Sequence, residues 1–467
     1  MSDPLEALAE FGGTGWLVGG AVRDRLLGRD TSDYDVALEG DPASVAKALA
    51  RRAGGHAFEL SGQFGVWRVV SREGTWQLDL LPLAGRSIED DLANRDLTIN
   101  AIAEPVGGGE AVDPFGGISD LRGRTLRMVS AEAFLRDALR TLRLVRLRCE
   151  LGFVIDPRTA AAAARGAAGL REVAPERIFA ELKRLIASDV PVTGLELIEE
   201  LGIAAVVLPE LPALRGIEQS RFHHLDVHAH TLEVLAAALE LERDPAPALG
   251  EHADEVDAFM RRPLADELTR WEALRFGALL HDIAKPQTRA VTPEGRVTFM
   301  GHDRAGEETA RAVLTRLRAS ERLTGHVAAL ARHHLDLGFL VHEMPLSRRA
   351  IYRYLRECGP VPVDVTVLSV ADRLATRGDN SERAIARHLE LADQMLGEAL
   401  RWVTDPPRPP VRGDDIAREL GVTPGPELGR ILSELEQASF AGEIDSREEA
   451  IEMARGLLGN GSIGSRP

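Results

Sequence analysis

The sequence predicts an α+β protein in which a small sheet in the first hundred residues is followed by helices to the C-terminus. Three observations carry this. Strand-type patterns cluster early, at "GWLV", "SDYDVAL" and "QFGVWRVVSREGTWQLDLLPL". From Phe134 onward apolar residues recur at helical rather than alternating spacing. A chain of 467 residues with 44% hydrophobic content is long enough for about three globular domains.

The first elements carry chemistry. "GWLV" reads as a buried strand and "AVRDRLLG" as a helix opened by Gly19 and Gly20. Glycine there lets backbone N–H groups approach a phosphate, the helix N-terminus favours the anion, and Arg23 reaches the same group. "SDYDVAL" alternates polar and apolar residues, so Asp33 and Asp35 share one strand face. Paired carboxylates repel unless a cation lies between them, and Mg²⁺ favours one or two carboxylates plus substrate phosphates. The last pattern is two alternating runs joined by a Glu-Gly turn, which brings Asp79 toward Asp33 and Asp35 as a third catalytic carboxylate. The set suits in-line phosphoryl or nucleotidyl transfer.

Five segments in order, "LVGGAVRDRLLG" with "SDYDVAL", "EDDLANRDLTINAIA", "DPFGGISDLRGRTLR", "FLRDALRTLRLVRLRCELGF" and "ERIFAELKRLI", resemble the class II tRNA nucleotidyltransferases and bacterial poly(A) polymerases. That resemblance covers roughly the first 190 residues. It implies a nucleotidyltransferase head of the DNA polymerase beta superfamily with a small mixed sheet, then an all-α neck. It assigns metal binding to Asp33 and Asp35, triphosphate binding to Gly19, Gly20 and Arg23, and nucleotide binding to Arg95, Asp96 and Asn100. The partners it implies are CTP, ATP and the tRNA 3′ end, whose hydroxyl attacks the α-phosphorus as pyrophosphate leaves.

Asp137, Arg140, Arg143 and Arg146 are spaced by three on a helix expected from Phe134, with Leu135, Leu139 and Leu142 as its apolar face. An Asp and Arg pair can read a base edge without a template. Cytosine and adenine both present an amino donor beside a ring-nitrogen acceptor; uracil and guanine present the reverse, leaving buried groups unpaired at about 1 to 3 kcal/mol each. The resemblance gives this role to Asp137 and Arg140, with Arg143 and Arg146 assisting. The chain departs from the family pattern at three places. Arg136 replaces an acidic residue, Asn94-Arg95 replaces an Arg pair, and "LLPLAGRSI" is shorter than the corresponding loop of many complete CCA-adding members. Addition of CCA, of CC or of the terminal A alone stays open.

A formal charge of −17 argues against general polyanion binding, but residues 122–184 carry fourteen Lys and Arg against seven Asp and Glu. That local excess fits a nucleic-acid partner. Cys149 and Cys358 lie far apart outside any metal-type spacing, which suggests neither a disulfide nor a thiolate site. The acidic N-terminus and the lack of an apolar run of about 20 residues predict a cytoplasmic protein with no membrane partner.

Most of the thirteen His fall in residues 222–375. "FHHLDVHAHTLEVL", "ALRFGALLHDIAKP" and "LSVADRLAT" supply a separated His, a His-Asp doublet and a late Asp, with Asp226 as a helix cap. The pattern resembles the HD phosphohydrolases, implying that His230, His281, Asp282 and Asp372 hold a divalent metal. Mixed nitrogen and oxygen donors suit Mn, Ni, Fe or Mg. His302 with His333 or His334 is the candidate for a second metal, and phosphatase or phosphodiesterase chemistry follows. Residues 243–271 read as a Pro-interrupted insertion, "DPPRPPV" as a linker and "GNGSIGSRP" as a disordered tail. The expected domains are a head (1–121), neck (122–200), HD body (201–380) and helical tail (381–467).

Overall fold

A computed structural model describes residues 4–9, 15–62, 65–219, 223–377 and 381–461. The fold divides into two compact units, residues 1–208 and 209–467. The division falls at residue 208, eight residues inside the span expected for the HD body (201–380).

The first unit is built on a six-stranded mixed sheet. Its strands are β1 (Gly15–Val18), β2 (Asp33–Leu38), β3 (His56–Ser61), β4 (Val66–Val70), β5 (Gln77–Pro82) and β6 (Ala103–Pro105), in the order β3-β4-β5-β2-β1-β6. Only β2 and β5 pair in parallel. Helix α1 (Gly20–Leu26) follows β1, and α2 (Pro42–Ala53) links β2 to β3. Asp41 caps α2 by accepting from the Ala43 and Ser44 N–H groups. Val36, Val69, Leu78 and Leu80 are fully buried, so the strands are fixed in register by apolar positions on the face opposite Asp35, Arg68 and Asp79. Helix α3 (Ile88–Ala93) then leads to a turn over Thr98–Asn100, against which Gly117 packs so closely that a Cβ would overlap the Thr98 carbonyl.

The neck corrects one expectation. The helix predicted from Phe134 is two: a short one over Ala133–Arg136, then α4 (Leu139–Leu151). Asp137 stands between them in extended conformation (φ −145°, ψ 102°). Its carboxylate accepts from the Leu139 N–H at 3.2 Å, a cap-like bond that competes with continuous helix. Asp137 therefore does not share a helix face with Arg140, Arg143 and Arg146, and Leu135, expected on the apolar face, is exposed. Leu139 and Leu142 are buried as expected. Helix α5 (Pro175–Ala187) packs along α4.

The second unit is helical. Helices α6 (Val227–Arg243), α7 (Arg270–Leu280), α8 (His302–Arg316), α9 (Glu321–His333) and α10 (Pro362–Ala375) surround the His/Asp cluster. Asp226 caps α6 through the Ala229 N–H, as expected. The 243–271 segment forms two short helices and a hairpin. At the C-terminus a helix spans Arg447–Gly461, which overrides the expected disorder at residues 459–461. Residues 462–467 lie outside the described residues.

Candidate active site

The parallel pairing of β2 with β5 sets Asp35 level with Asp79, and the antiparallel pairing of β4 with β5 sets Arg68 opposite Asp79. Arg68 takes Asp79 in a bidentate pair at 2.7 and 2.8 Å. Asp33 is exposed and Asp35 half-buried. Burial, with Asp79 and Asp33 nearby, raises the Asp35 carboxyl to about 6 against the pull of Arg95 and Arg68. An anionic edge this costly to ionise is one that a cation stabilises. Asp33 and Asp35 thus fit a divalent ion, while Asp79 is already partnered by Arg68.

Gly19, at φ 74°, supplies the left-handed turn into α1. A Cβ there would lie 3.3 Å from Arg95 Nη1 and 3.4 Å from Asp35 Oδ2, so the missing side chain leaves room between a cation and an anion. At Gly20 a Cβ would meet the Arg23 guanidinium. Arg23 donates to Asn100 Oδ1 at 2.9 Å and pairs with Asp24. Asn100 in turn donates to Asp96 at 3.0 Å. Burial opposes ionisation of Asp96, but Arg143, Asn100 and the Leu97 N–H outweigh it and hold the carboxyl below its ordinary range.

The neck side chains meet this network. Arg143 reaches Asp96 at 3.4 Å and Glu181 of α5 at 3.0 Å. Arg140 donates to the carbonyls of Asn94 (2.6 Å), Arg95 (3.3 Å) and Ala133 (3.2 Å). Asp137 pairs with Arg177 of α5 at 2.9 Å. Arg146, expected to assist nucleotide binding, is instead buried between Glu181 and Glu150, where its donors hold helices together. The basic run is therefore partly internal. Arg68, Asp91 (paired with Arg95 at 2.8 Å), Arg177 and Glu181 escaped the sequence reading. Register would have found Arg68, which sits across from Asp79, and the i, i+4 spacing of Arg177 and Glu181 marks one helix face.

In the second unit Asp282 lies at the centre of the cluster. One of its oxygens is 3.7 Å from His230 Nε2 and 3.1 Å from His281 Nε2; the other is 3.4 Å from His302 Nε2 and 3.7 Å from His334 Nε2. Asp372 approaches His230 Nε2 at 3.0 Å. The Nδ1 atoms of His281, His302 and His334 face the carbonyls of Ala278, Phe299 and Ala331 at 2.7 to 2.8 Å. Donation there leaves the Nε2 lone pairs turned inward, as metal-bound imidazoles require. The Nε2 atoms of His230 and His281 and both Asp282 oxygens are buried without a well-oriented hydrogen bond, although Asp372 and Lys285 stand at ion-pair distance from His230 and Asp282. Such orphans are costly unless a cation satisfies them. His230, His281 and Asp282 form one tight ligand group, and Asp282, His302 and His334 a second. His333 points elsewhere, bonding Asp336 at 2.7 Å. Lys285, 2.6 Å from Asp282, and His223, whose ring centre lies 5.1 Å from that of His230, are additions the sequence reading missed.

A carboxylate pair on one strand beside a glycine-opened helix marks a nucleotidyltransferase head within the first unit, and the His/Asp cluster marks an HD domain within the second. Residues 15–81 and 83–127 match the poly A polymerase head domain, residues 152–214 the probable RNA and SrmB-binding site of polymerase A, and residues 227–377 the HD domain. The chain is 38% identical over 440 residues to an A-adding tRNA nucleotidyltransferase of Deinococcus radiodurans, covering 93% of each. It is 39% identical over 439 residues to a CC-adding tRNA nucleotidyltransferase of Thermus thermophilus, covering 93% of this chain and 91% of that one. A CCA-adding enzyme solved with ATP shares the fold with a TM-score of 0.64 at 18% identity, covering 97% of this chain and 94% of that one. The chain belongs to the tRNA nucleotidyltransferase family. Divalent metals generally serve both kinds of domain. Among the described residues no helix is long and apolar enough to cross a membrane.

Two measurements check this geometry. Because the Asp35 carboxyl is raised to about 6, it is ionised above that pH and protonated below it. Mn²⁺ affinity of the head is expected to be level above pH 7 and to fall about tenfold per unit below pH 6; a titration series that stays level down to pH 4.5 contradicts the assignment. For the HD cluster, Mn²⁺ at about a hundred times its Kd stabilises the fold by about 2.7 kcal/mol. Asp282→Asn is expected to remove the HD share of the Mn²⁺-dependent rise in melting temperature and of the metal retained on dialysis, leaving the head's share, whereas His333→Ala keeps both in full.

Proposed function

We propose that this chain adds nucleotides to the 3′ end of tRNA from CTP, ATP or both, without a nucleic-acid template, releasing pyrophosphate. The observation that carries the reading is the double position of Arg95. Its guanidinium lies beside Gly19 and acts on Asp35, while its carbonyl accepts from Arg140. One residue thus joins the end of the site suited to phosphates with the end suited to a base.

In this reading Asp33 and Asp35 hold Mg²⁺, which when bound supplies charge stabilisation at the reacting phosphate. Arg68 restrains Asp79 and keeps it level with Asp35. Gly19, Gly20 and Arg23 receive the triphosphate, and Arg95, Asp96 and Asn100 the sugar end of the nucleotide. Asp137 accepts from the base amino group and Arg140 donates to the ring nitrogen. Arg143 is half of the link that places both against the head, and Arg146 braces that link from within. Most of the work is positioning and fixed charge.

The short connection after β5 bears on how much of CCA is added. The Ala84 and Arg86 N–H groups donate to Asp91 and Asp90 at 3.1 and 2.9 Å, which pins the connection to α3. A pinned connection gives the base-reading pair one geometry rather than two, which favours a partial adder, as the Deinococcus and Thermus relatives are by name.

The HD cluster supports a second activity, hydrolysis of phosphate esters at a divalent centre. His230, His281, Asp282 and Asp372 would hold one Mn²⁺, Ni²⁺, Fe²⁺ or Mg²⁺ and Asp282, His302 and His334 another. The orphaned buried ligand atoms carry that reading. Bound there, such a metal polarises phosphate and activates water.

The test uses tRNA transcripts ending before CCA, after C and after CC, with Mg²⁺ and CTP, ATP, UTP or GTP. A partial adder extends only the CC transcript by one A, or only the shorter ones by C. Growth of the shortest transcript to CCA overturns the partial reading, and no extension of any transcript overturns the transferase assignment.

A further inference from the structure

We propose that Asn94 and Arg136 form a positioning pair that sets the Arg140 guanidinium and so determines how strictly the head discriminates between nucleotides. This rests on the reading of Arg140 as a base-contacting residue. Neither Asn94 nor Arg136 touches substrate in that reading.

The observation is a closed ring of contacts. Arg136 ends the short helix Ala133–Arg136 and donates from Nη1 to Asn94 Oδ1 at 3.2 Å. The orientation of the Asn94 amide is fixed by its partners, since its Nδ2 donates to the Asp90 carbonyl at 2.9 Å while its oxygen accepts from Arg136. The Asn94 backbone carbonyl accepts from Arg140 Nη2 at 2.6 Å. Arg140 Nη1 returns to the Ala133 carbonyl at 3.2 Å, on the same short helix that carries Arg136. Loosening any member of the ring changes where the Arg140 fork points.

The charges explain why these two residues occur together. Arg95, Arg136 and Arg140 crowd this corner, and burial together with the neighbouring Arg143 and Arg136 lowers the Arg140 guanidinium from its ordinary value. An arginine at position 94 would add another cation facing Arg136. Asn94 supplies a neutral acceptor instead. Asn94 and Arg136 therefore act as one unit, in which a neutral amide oxygen faces a cation.

The experiment compares Asn94→Ala, Arg136→Ala, the double variant, Arg140→Ala and the exchange Asn94→Arg with and without Arg136→Glu. Affinities for all four nucleoside triphosphates with Mg²⁺ are measured alongside kcat/KM, so that a slow variant is still scored. Both side chains are exposed, so melting temperatures are expected to stay within about 2 °C of the parent. Each alanine variant is expected to lower the ratio of accepted to rejected nucleotide about three- to tenfold, with the double variant no worse than the worse single one. Arg136→Glu is expected to restore the ratio lost by Asn94→Arg. An unchanged ratio in the alanine variants, additive losses, or equal weakening toward all four nucleotides overturns the pair, provided Arg140→Ala has flattened the ratio. If Arg140→Ala leaves discrimination intact, the base-reading assignment itself fails, and the pair with it.

Discussion

The first unit depends on one buried carboxylate. Asp96 accepts from the Leu97 N–H, the Asn100 amide and Arg143, and each of these leads to a different part of the site. Through Asn100 it reaches Arg23 at the start of α1; through Arg143 it reaches Glu181 and Arg146 on the neck helices. A buried charge is tolerated only when fully paired, and removal of one partner leaves the rest uncompensated. Helix α1 and the neck helix α4 are thereby tied to the same anion, and their relative position follows from its pairing.

The second unit uses the opposite condition. Asp282 is as deeply buried as Asp96, yet its oxygens lack hydrogen-bond partners and face four imidazoles and Lys285. Burial again opposes ionisation, and His281 and Lys285 outweigh it, holding the carboxyl well below its usual range. The anion is kept charged by one ion pair and the surrounding imidazoles rather than by a full set of hydrogen bonds. One buried Asp is paired within the protein, and the other stands among imidazoles in metal-type groupings.

The sequence made the local chemistry legible and the cross-element pairings largely not. Alternation in "SDYDVAL" placed Asp33 and Asp35 on one face, and the glycine pair located the turn into α1. The His-Asp doublet and its companions were found, and geometry then chose His334 over His333. Arg68, Glu181 and Arg177 were missed because each partners a residue on another strand, helix or turn, a pairing visible only once strand register or helix packing is known; Lys285, three residues after Asp282, was legible at local spacing and was overlooked. The helix break at Asp137 was hidden by a regular spacing of three, which continuous helix fits equally well until the Asp137 side chain bonds the backbone of its own chain. Arg146 had the spacing of a binding residue and the burial of a core one.

The central claim is that the Asp33–Asp35 edge and the Asp137–Arg140 pair receive opposite ends of one nucleotide. A crystal structure of the protein with Mn²⁺ and a non-hydrolysable analogue of ATP or CTP tests it most directly. The account predicts anomalous density for Mn²⁺ between Asp33 and Asp35, with the base amino group within hydrogen-bond distance of Asp137 and its ring nitrogen facing Arg140. A base bound away from Asp137 and Arg140, or a metal held without Asp35, would contradict it.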